Sequence, residues 1–208
     1  MSTIKEAKRV KISNVRKKQA RRRAEILEAV IPLITREDFD TISVNDLCKA
    51  AGISVGTFYH YFTQKTDMLV GLLWLIDEDL EQNVFPLLTK KDEMENLRIF
   101  AHAWVKHIEE HGLERSKLIA TMNLESEVLV ESERSSIQRL HQIFEDAQKK
   151  GQLGKEDSAD KLTDYFLLML RSVSNDWSRR DGKYDIVQKM DDVTEFFIRA
   201  CKKGGRDQ

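Results

Sequence analysis

Thr57, Tyr59, His60 and Tyr61 stand close together in the run SVGTFYHYFTQK, with Ser54 opening it and Lys65 closing it. Hydroxyls, an imidazole, an ammonium and the bare amide of Gly56 are groups that grip phosphate oxygens and base edges. They do not make a catalytic set. No nucleophile elbow, H-E-x-x-H or phosphate-binding glycine loop occurs anywhere in the chain, so no catalytic residue is assigned and an enzyme is not expected. His107 and His111 are one helical turn apart, near Glu110 and Glu114. That spacing can chelate a metal, but a His pair on a polar helix face is more often solvated, and no metal or other cofactor is expected. Cys48 and Cys201 lie far apart without C-x-x-C spacing, which suggests neither a disulfide nor a zinc site and fits a reduced, cytoplasmic compartment.

The elements that must position the first group are written into the residues around it. Ser43 and Asp46 form a capping box at the start of one short helix. Leu47, Cys48 and Ala51 fall on one face of that helix, and Gly52 supplies the left-handed residue at its end. Ile53 turns back toward the core, and Ser54 caps a second helix whose inward residues are Phe58 and Phe62. Val55, Gly56, Thr57, Tyr59, His60 and Tyr61 are left outward. A helix, a glycine turn and a second helix displaying polar and aromatic groups is how a reader of DNA enters the major groove.

The same stretch, AAGISVGTFYHYFTQKTDML, resembles the helix-turn-helix signature of the TetR/AcrR family of bacterial regulators. The pattern is A-G-[VI]-S-x-G-x-[FL]-Y-x-[HYF]-F-x-x-K with a leucine a few residues on. Ala51, Gly52, Ile53, Ser54, Gly56, Phe58, Tyr59, Tyr61, Phe62, Lys65 and Leu69 fill every fixed position. The likeness covers roughly Ala24 to Leu80. It implies an all-α protein of about nine helices: a basic arm over 1–23, a DNA-binding domain over 24–66, and a helical effector-binding and dimerisation domain over 67–208. On the family's pattern Thr57 and Tyr61 face bases and Val55 is available to a thymine methyl. Ser43, Ser54, the Gly56 amide, Tyr59, His60 and Lys65 hold phosphates. The family also implies a pocket for a small apolar or aromatic effector, for which Phe100, Trp104, Met122, Phe144 and Phe166 are candidates. The function implied is a repressor released from a palindromic operator by that effector. The alternatives are an activator, or a nucleoid-associated DNA-binding protein with no effector. Asp38 stands where the family usually has glycine and is expected in the left-handed region, which Asp tolerates at a cost.

Composition agrees with a helical, DNA-facing protein. Two prolines, nine glycines and 33% charged residues in a chain of 208 favour helices. The formal net charge is −1, but residues 1–62 hold 12 Lys and Arg against 7 Asp and Glu, and the remainder holds 22 against 28. A basic end on an acidic body can meet phosphates while the whole stays near neutral. The arm from Met1 to Arg23, with RKKQARRR at its end, can contact phosphates or enter the minor groove. No membrane span and no secretory signal are expected.

Apolar periodicity predicts the other helices. Ala24–Arg36 carries Ile26, Val30, Leu33 and Ile34 inward, with Pro32 expected to kink or end it. Thr66–Pro86 is read as one long helix bearing Met68, Leu69, Leu72, Leu73, Ile76 and Leu80, ended by Glu78–Glu81 and Pro86. Then follow helices over Glu93–Gly112, Leu113–Asn123 and Glu127–Lys150, with a loop at Gly151–Asp157. The final pair, Ser158–Arg180 and Ile186–Lys203, is more apolar than one small body needs. Pairing with a second copy in a four-helix bundle is the economical solution, through Phe166, Met169, Leu170, Val173, Met190, Val193 and Phe197. Two reading helices then meet half-sites at least one helical turn apart, roughly 34–36 Å.

Overall fold

The computed structural model describes residues 19, 21–121 and 134–202; Met122, the segment 127–133 and most of the basic arm lie outside these. Among the described residues the regular structure is entirely helical, with nine α-helices. Contacts divide the chain into two units, with the break after Leu75 inside the fourth helix.

In the first unit, α1 (residues 21–34) buries Ala24, Ile26, Leu27, Val30 and Ile34. It stops two residues past Pro32, where Thr35 bonds back to the Ile31 carbonyl through both its amide and its hydroxyl. The helix thus ends close to Pro32, where a kink or an end is expected. Asp38 departs from expectation. Asp181 is the one non-glycine residue at positive φ among those described. Asp38 instead holds a turn, accepting the Asp40 amide on its side chain and both Thr41 donors on its carbonyl. A local carboxylate–amide bond replaces the left-handed residue.

α2 (Val44–Ala51) starts on a complete capping box between Ser43 and Asp46 and ends at Gly52, φ 62. α3 (Val55–Tyr61) is capped by Ser54, whose side chain accepts from the Thr57 amide. Phe58 and Phe62 are buried, as their spacing predicts. Their rings are 5.4 Å apart, so two aromatic anchors fix a helix too short to be stable alone. α4 (Asp67–Asp79) begins where the Asp67 carboxylate accepts the Thr63 and Gln64 amides.

The second unit begins within α4. The α-helix ends at Asp79, within the predicted Glu78–Glu81 stop, but the coil goes on: the chain widens into a π turn at Leu80–Val84 and tightens into a 3-10 turn at Phe85–Leu87. Leu80 and Val84 are thereby both buried, and Pro86 sits at the start of the 3-10 turn, where a missing amide costs least. α5 (Glu93–His111) packs on α6 (Leu113–Thr121), α7 (Ser135–Lys149), α8 (Ala159–Arg179) and α9 (Ile186–Cys201), and α8 packs on α6, α7 and α9. The core is Met94, Leu97, Phe100, Ala101 and Val105 from α5, with Leu140, Phe144, Phe166, Leu170, Met190 and Ile198 from the others. α8 and α9 are separated by Asp181 and Gly182, both left-handed. The Trp177 indole donates to the Tyr184 carbonyl at 3.1 Å and closes that corner.

A buried ion pair ties the end of α4 to the start of α7. Arg134 grips Asp77 with two bonds, Nε to Oδ2 at 2.9 Å and a terminal nitrogen to Oδ1 at 2.8 Å. The Ser136 hydroxyl donates to the same carboxylate. All three side chains are buried, so each charge is compensated where an unpaired one would be very costly.

Candidate nucleic-acid interface and effector site

The outward face of α3 is built by its anchors. With Phe58 and Phe62 fixed inward, Val55 (40% exposed), Gly56, Tyr59 (56% exposed) and His60 face solvent, and Thr57 and Tyr61 are half-buried on the flanks. The His60 and Tyr61 rings meet edge to face at 4.9 Å, and Tyr59 packs edge-on against Phe58 at 5.3 Å. Ser54 and Thr57 share one hydroxyl–hydroxyl bond of 2.8 Å. That bond consumes one proton of the two, leaving one hydroxyl donor of the pair for an outside acceptor. A Cβ on Gly56 would meet only the Ser54 hydroxyl at 3.8 Å, an ordinary contact. No described residue calls for glycine there.

Two of the residues assigned to phosphates are engaged within the protein. Lys65 donates to the carbonyls of Phe39, Asp40 and Ile42 at 2.6, 3.1 and 3.1 Å. An ammonium has three donors, so none remains for a phosphate. Ser43 gives its single hydroxyl proton to Asp46 Oδ2 at 2.5 Å and accepts the Asp46 amide at 3.2 Å. The Ser43 bonds hold the Asp46 carboxyl below the usual carboxylate range, so a negative charge sits beside that hydroxyl. The local backbone and a neighbouring carboxylate thus hold the donors that the expected phosphate roles of Lys65 and Ser43 would use.

In the body, the four described residues of the expected pocket fall into two groups. Phe100 and Trp104 stack along α5 at 6.3 Å, and Phe144 meets Phe166 edge to face at 5.9 Å with Phe197 beside both. Met122 lies outside the described residues. The His pair is solvated as expected at His111, which is exposed, but not at His107. His107 is buried, its Nδ1 3.1 Å from Asp79 Oδ2, with the His111 ring stacked on it at 4.0 Å. His111 Nδ1 donates to the His107 carbonyl at 2.7 Å. Burial, then the neighbouring His111, lowers the His107 pKa from 6.5 to about 4. The side chain is therefore neutral at physiological pH.

The residues expected at a copy-to-copy interface are largely inside. Phe166, Leu170, Val173 and Met190 are buried within one chain, and Met169, Val193 and Phe197 are half-buried. The exposed apolar side chains of these helices are Tyr165 and Leu168 (63% exposed) on α8 and Phe196 (67% exposed) on α9. The centre of each stripe serves the chain's own core, and the flank is left outside.

Sequence reasoning missed Asp77, Asp79 and Arg134. The available signal was the acidic run Asp77-Glu78-Asp79 closing an apolar stretch, where a carboxylate turned inward survives only with a partner. Among the described residues, no helix is long and apolar enough to cross a membrane.

Residues 26–72 match the family described as "Bacterial regulatory proteins, tetR family". Over 158 residues the chain is 25% identical to the transcriptional regulator AcuR of Cereibacter sphaeroides, covering 68% of this chain and 69% of that protein. The fold is similar to that of the transcriptional regulator FadR from Bacillus subtilis in complex with stearoyl-CoA. The TM-score is 0.69 at 19% identity, over 84% of this chain and 96% of that one. AibR, solved in complex with isovaleryl coenzyme A and operator DNA, aligns with a TM-score of 0.58 at 18% identity, over 86% and 97%.

Proposed function

Since the chain is a TetR-family transcriptional regulator, we propose that it acts as a homodimeric repressor, placing one α3 in each half of a palindromic operator. The observation that carries this is the exposed face of α3, with a glycine that none of the described residues requires. Thr57 and Tyr61 read bases and Val55 meets a thymine methyl. Ser54, the Gly56 amide, Tyr59 and His60 hold phosphates and set the register. The dimer forms through the exposed apolar flank of α8 and α9, with Leu168 and Phe196 at its centre.

A small molecule held in the body releases the operator by favouring a spacing of the two reading helices that does not fit it. Support comes from the aromatic interior and from two proteins of similar fold solved with acyl-coenzyme A ligands. The protein works in the cytoplasm, beside the chromosome.

Selection of genomic fragments by the purified protein, with a salt titration on the best of them, tests this. A few palindromes overlapping promoters are the expected result. Binding spread over many dispersed sites points instead to a nucleoid-associated protein, and no enrichment over random DNA removes the operator reading altogether.

A further inference from the structure

Trp104 and His107 lie one turn apart on the inward side of α5, 3% and 5% exposed. Neither Trp104 Nε1 nor His107 Nε2 has a hydrogen-bond partner. A buried polar atom left unpaired costs about 1–3 kcal/mol, so two of them on neighbouring turns of one helix call for an explanation. The Ser135 and Thr194 hydroxyls are also unpartnered, but each stands on a different helix. Among the described residues, Trp104 and His107 are the two that stand one turn apart on one helix.

The chemistry the pair offers follows from its neighbours. Asp79 Oδ2 faces His107 Nδ1 at 3.1 Å, and a carboxylate can only accept, so Nδ1 carries the hydrogen and Nε2 the lone pair. An indole can only donate. The buried face therefore presents one donor and one acceptor a turn apart. A carboxyl group in its acid form is the complement, with its carbonyl oxygen for the indole and its O–H for the imidazole. A primary amide has the same pattern. Two buried guanidinium groups stand nearby. Arg134, already bound to Asp77, has its centre 6.0 Å from the centre of the Trp104 ring. Arg115 on α6 is close enough to act on His107. Where the carboxyl proton passes to the imidazole, these guanidinium groups face a carboxylate, which an amide cannot supply.

We propose that the Trp104–His107 face of α5 is the polar end of the effector site and that it takes a carboxyl group. Trp104 Nε1 donates to one oxygen, and a proton is shared between the other oxygen and His107 Nε2. A carboxylic acid is ionised in neutral solution, so the anion brings one proton with it from water into the site. The groups that act on this proton are Asp79 from the end of α4, His111 on α5 and Arg115 on α6. His107 is neutral before binding, and one proton added with one anion leaves the buried charge balanced. This rests on the proposal that the body holds an effector.

Calorimetric titration of the full chain with butyrate, hexanoate and benzoate, each beside its primary amide, tests the site. Titrations run from pH 6 to 8 in two buffers of different ionisation heat. Carboxylate binding should take up close to one proton and weaken by about tenfold per pH unit, while amide binding stays flat. Trp104→Phe should weaken the carboxylates at least tenfold, and His107→Gln should abolish the proton uptake. No binding by any of the three acids overturns the proposal, as does binding without proton uptake that both variants leave unchanged. Operator release is scored separately. Release by a ligand indifferent to both variants removes this subsite and keeps the effector. Acids that bind here without releasing DNA keep the subsite and remove the effector.

Discussion

The Lys65 ammonium lies 4.6 Å from the centre of the Phe39 ring and donates to the Phe39 carbonyl at 2.6 Å. It thus locks the connection between α1 and α2 to the segment that follows α3. Lys65→Met keeps the stem and removes the donors. It should destabilise the DNA-binding unit by about 1.5–3 kcal/mol, the range for hydrogen bonds to a charged donor, read from a urea midpoint. The slope of log affinity against log salt should stay unchanged, where loss of a true phosphate contact would lower it by about 0.9.

Gly56→Ala separates fold from function. Helical alanine is favoured over glycine by about 0.5–1 kcal/mol, and the added methyl meets only the Ser54 hydroxyl. Stability should rise while operator affinity falls at least tenfold. Equal affinity in a fluorescence-anisotropy titration would mean that the DNA backbone does not approach this residue.

Thr57→Val preserves shape and removes a hydroxyl shared with Ser54. Selection from randomised operators should show discrimination at one base pair per half-site relaxed by about 1–3 kcal/mol. Affinity for random DNA should be unaffected.

Leu168 is exposed on α8, so Leu168→Glu should leave the thermal midpoint of the single chain almost unchanged. If the dimer forms there, sedimentation should show a monomer, and operator binding should weaken by more than a hundredfold as the second half-site is lost. A persistent dimer would move the interface elsewhere.

His107 gives stability a pH dependence of predictable sign. Its pKa falls from 6.5 to about 4 on folding, so between those values the unfolded chain binds a proton that the folded chain does not. Stability from this group is complete above pH 6.5 and is lost as pH falls toward 4, by up to about 3 kcal/mol. Urea midpoints for the native chain and His107→Leu at pH 7 and pH 4.5 should differ by that loss. Equal pH dependence in the two proteins would show that His107 is not buried neutral.

The DNA-reading unit was legible because its signals are local. A capping box, a left-handed glycine and a four-residue aromatic spacing act within a few residues of themselves, and Ser43, Gly52, Phe58 and Phe62 behave as their neighbours dictate. Asp38 escaped the same logic because two local solutions exist for one turn. The side-chain bond to the Asp40 amide took the place of a left-handed backbone.

Sequence by itself determined that the chain is helical, where most helices begin and end, and which short helix presents its polar side outward. Those outcomes follow from capping, periodicity and turn chemistry, all short in range. Tertiary structure alone decided where Lys65 spends its donors, that His107 is buried against Asp79, and that Arg134 closes on Asp77. It also decided which flank of α8 and α9 stays exposed. Each of these depends on a partner far away in the chain, and a buried charge or donor takes its role from whatever the fold sets opposite it.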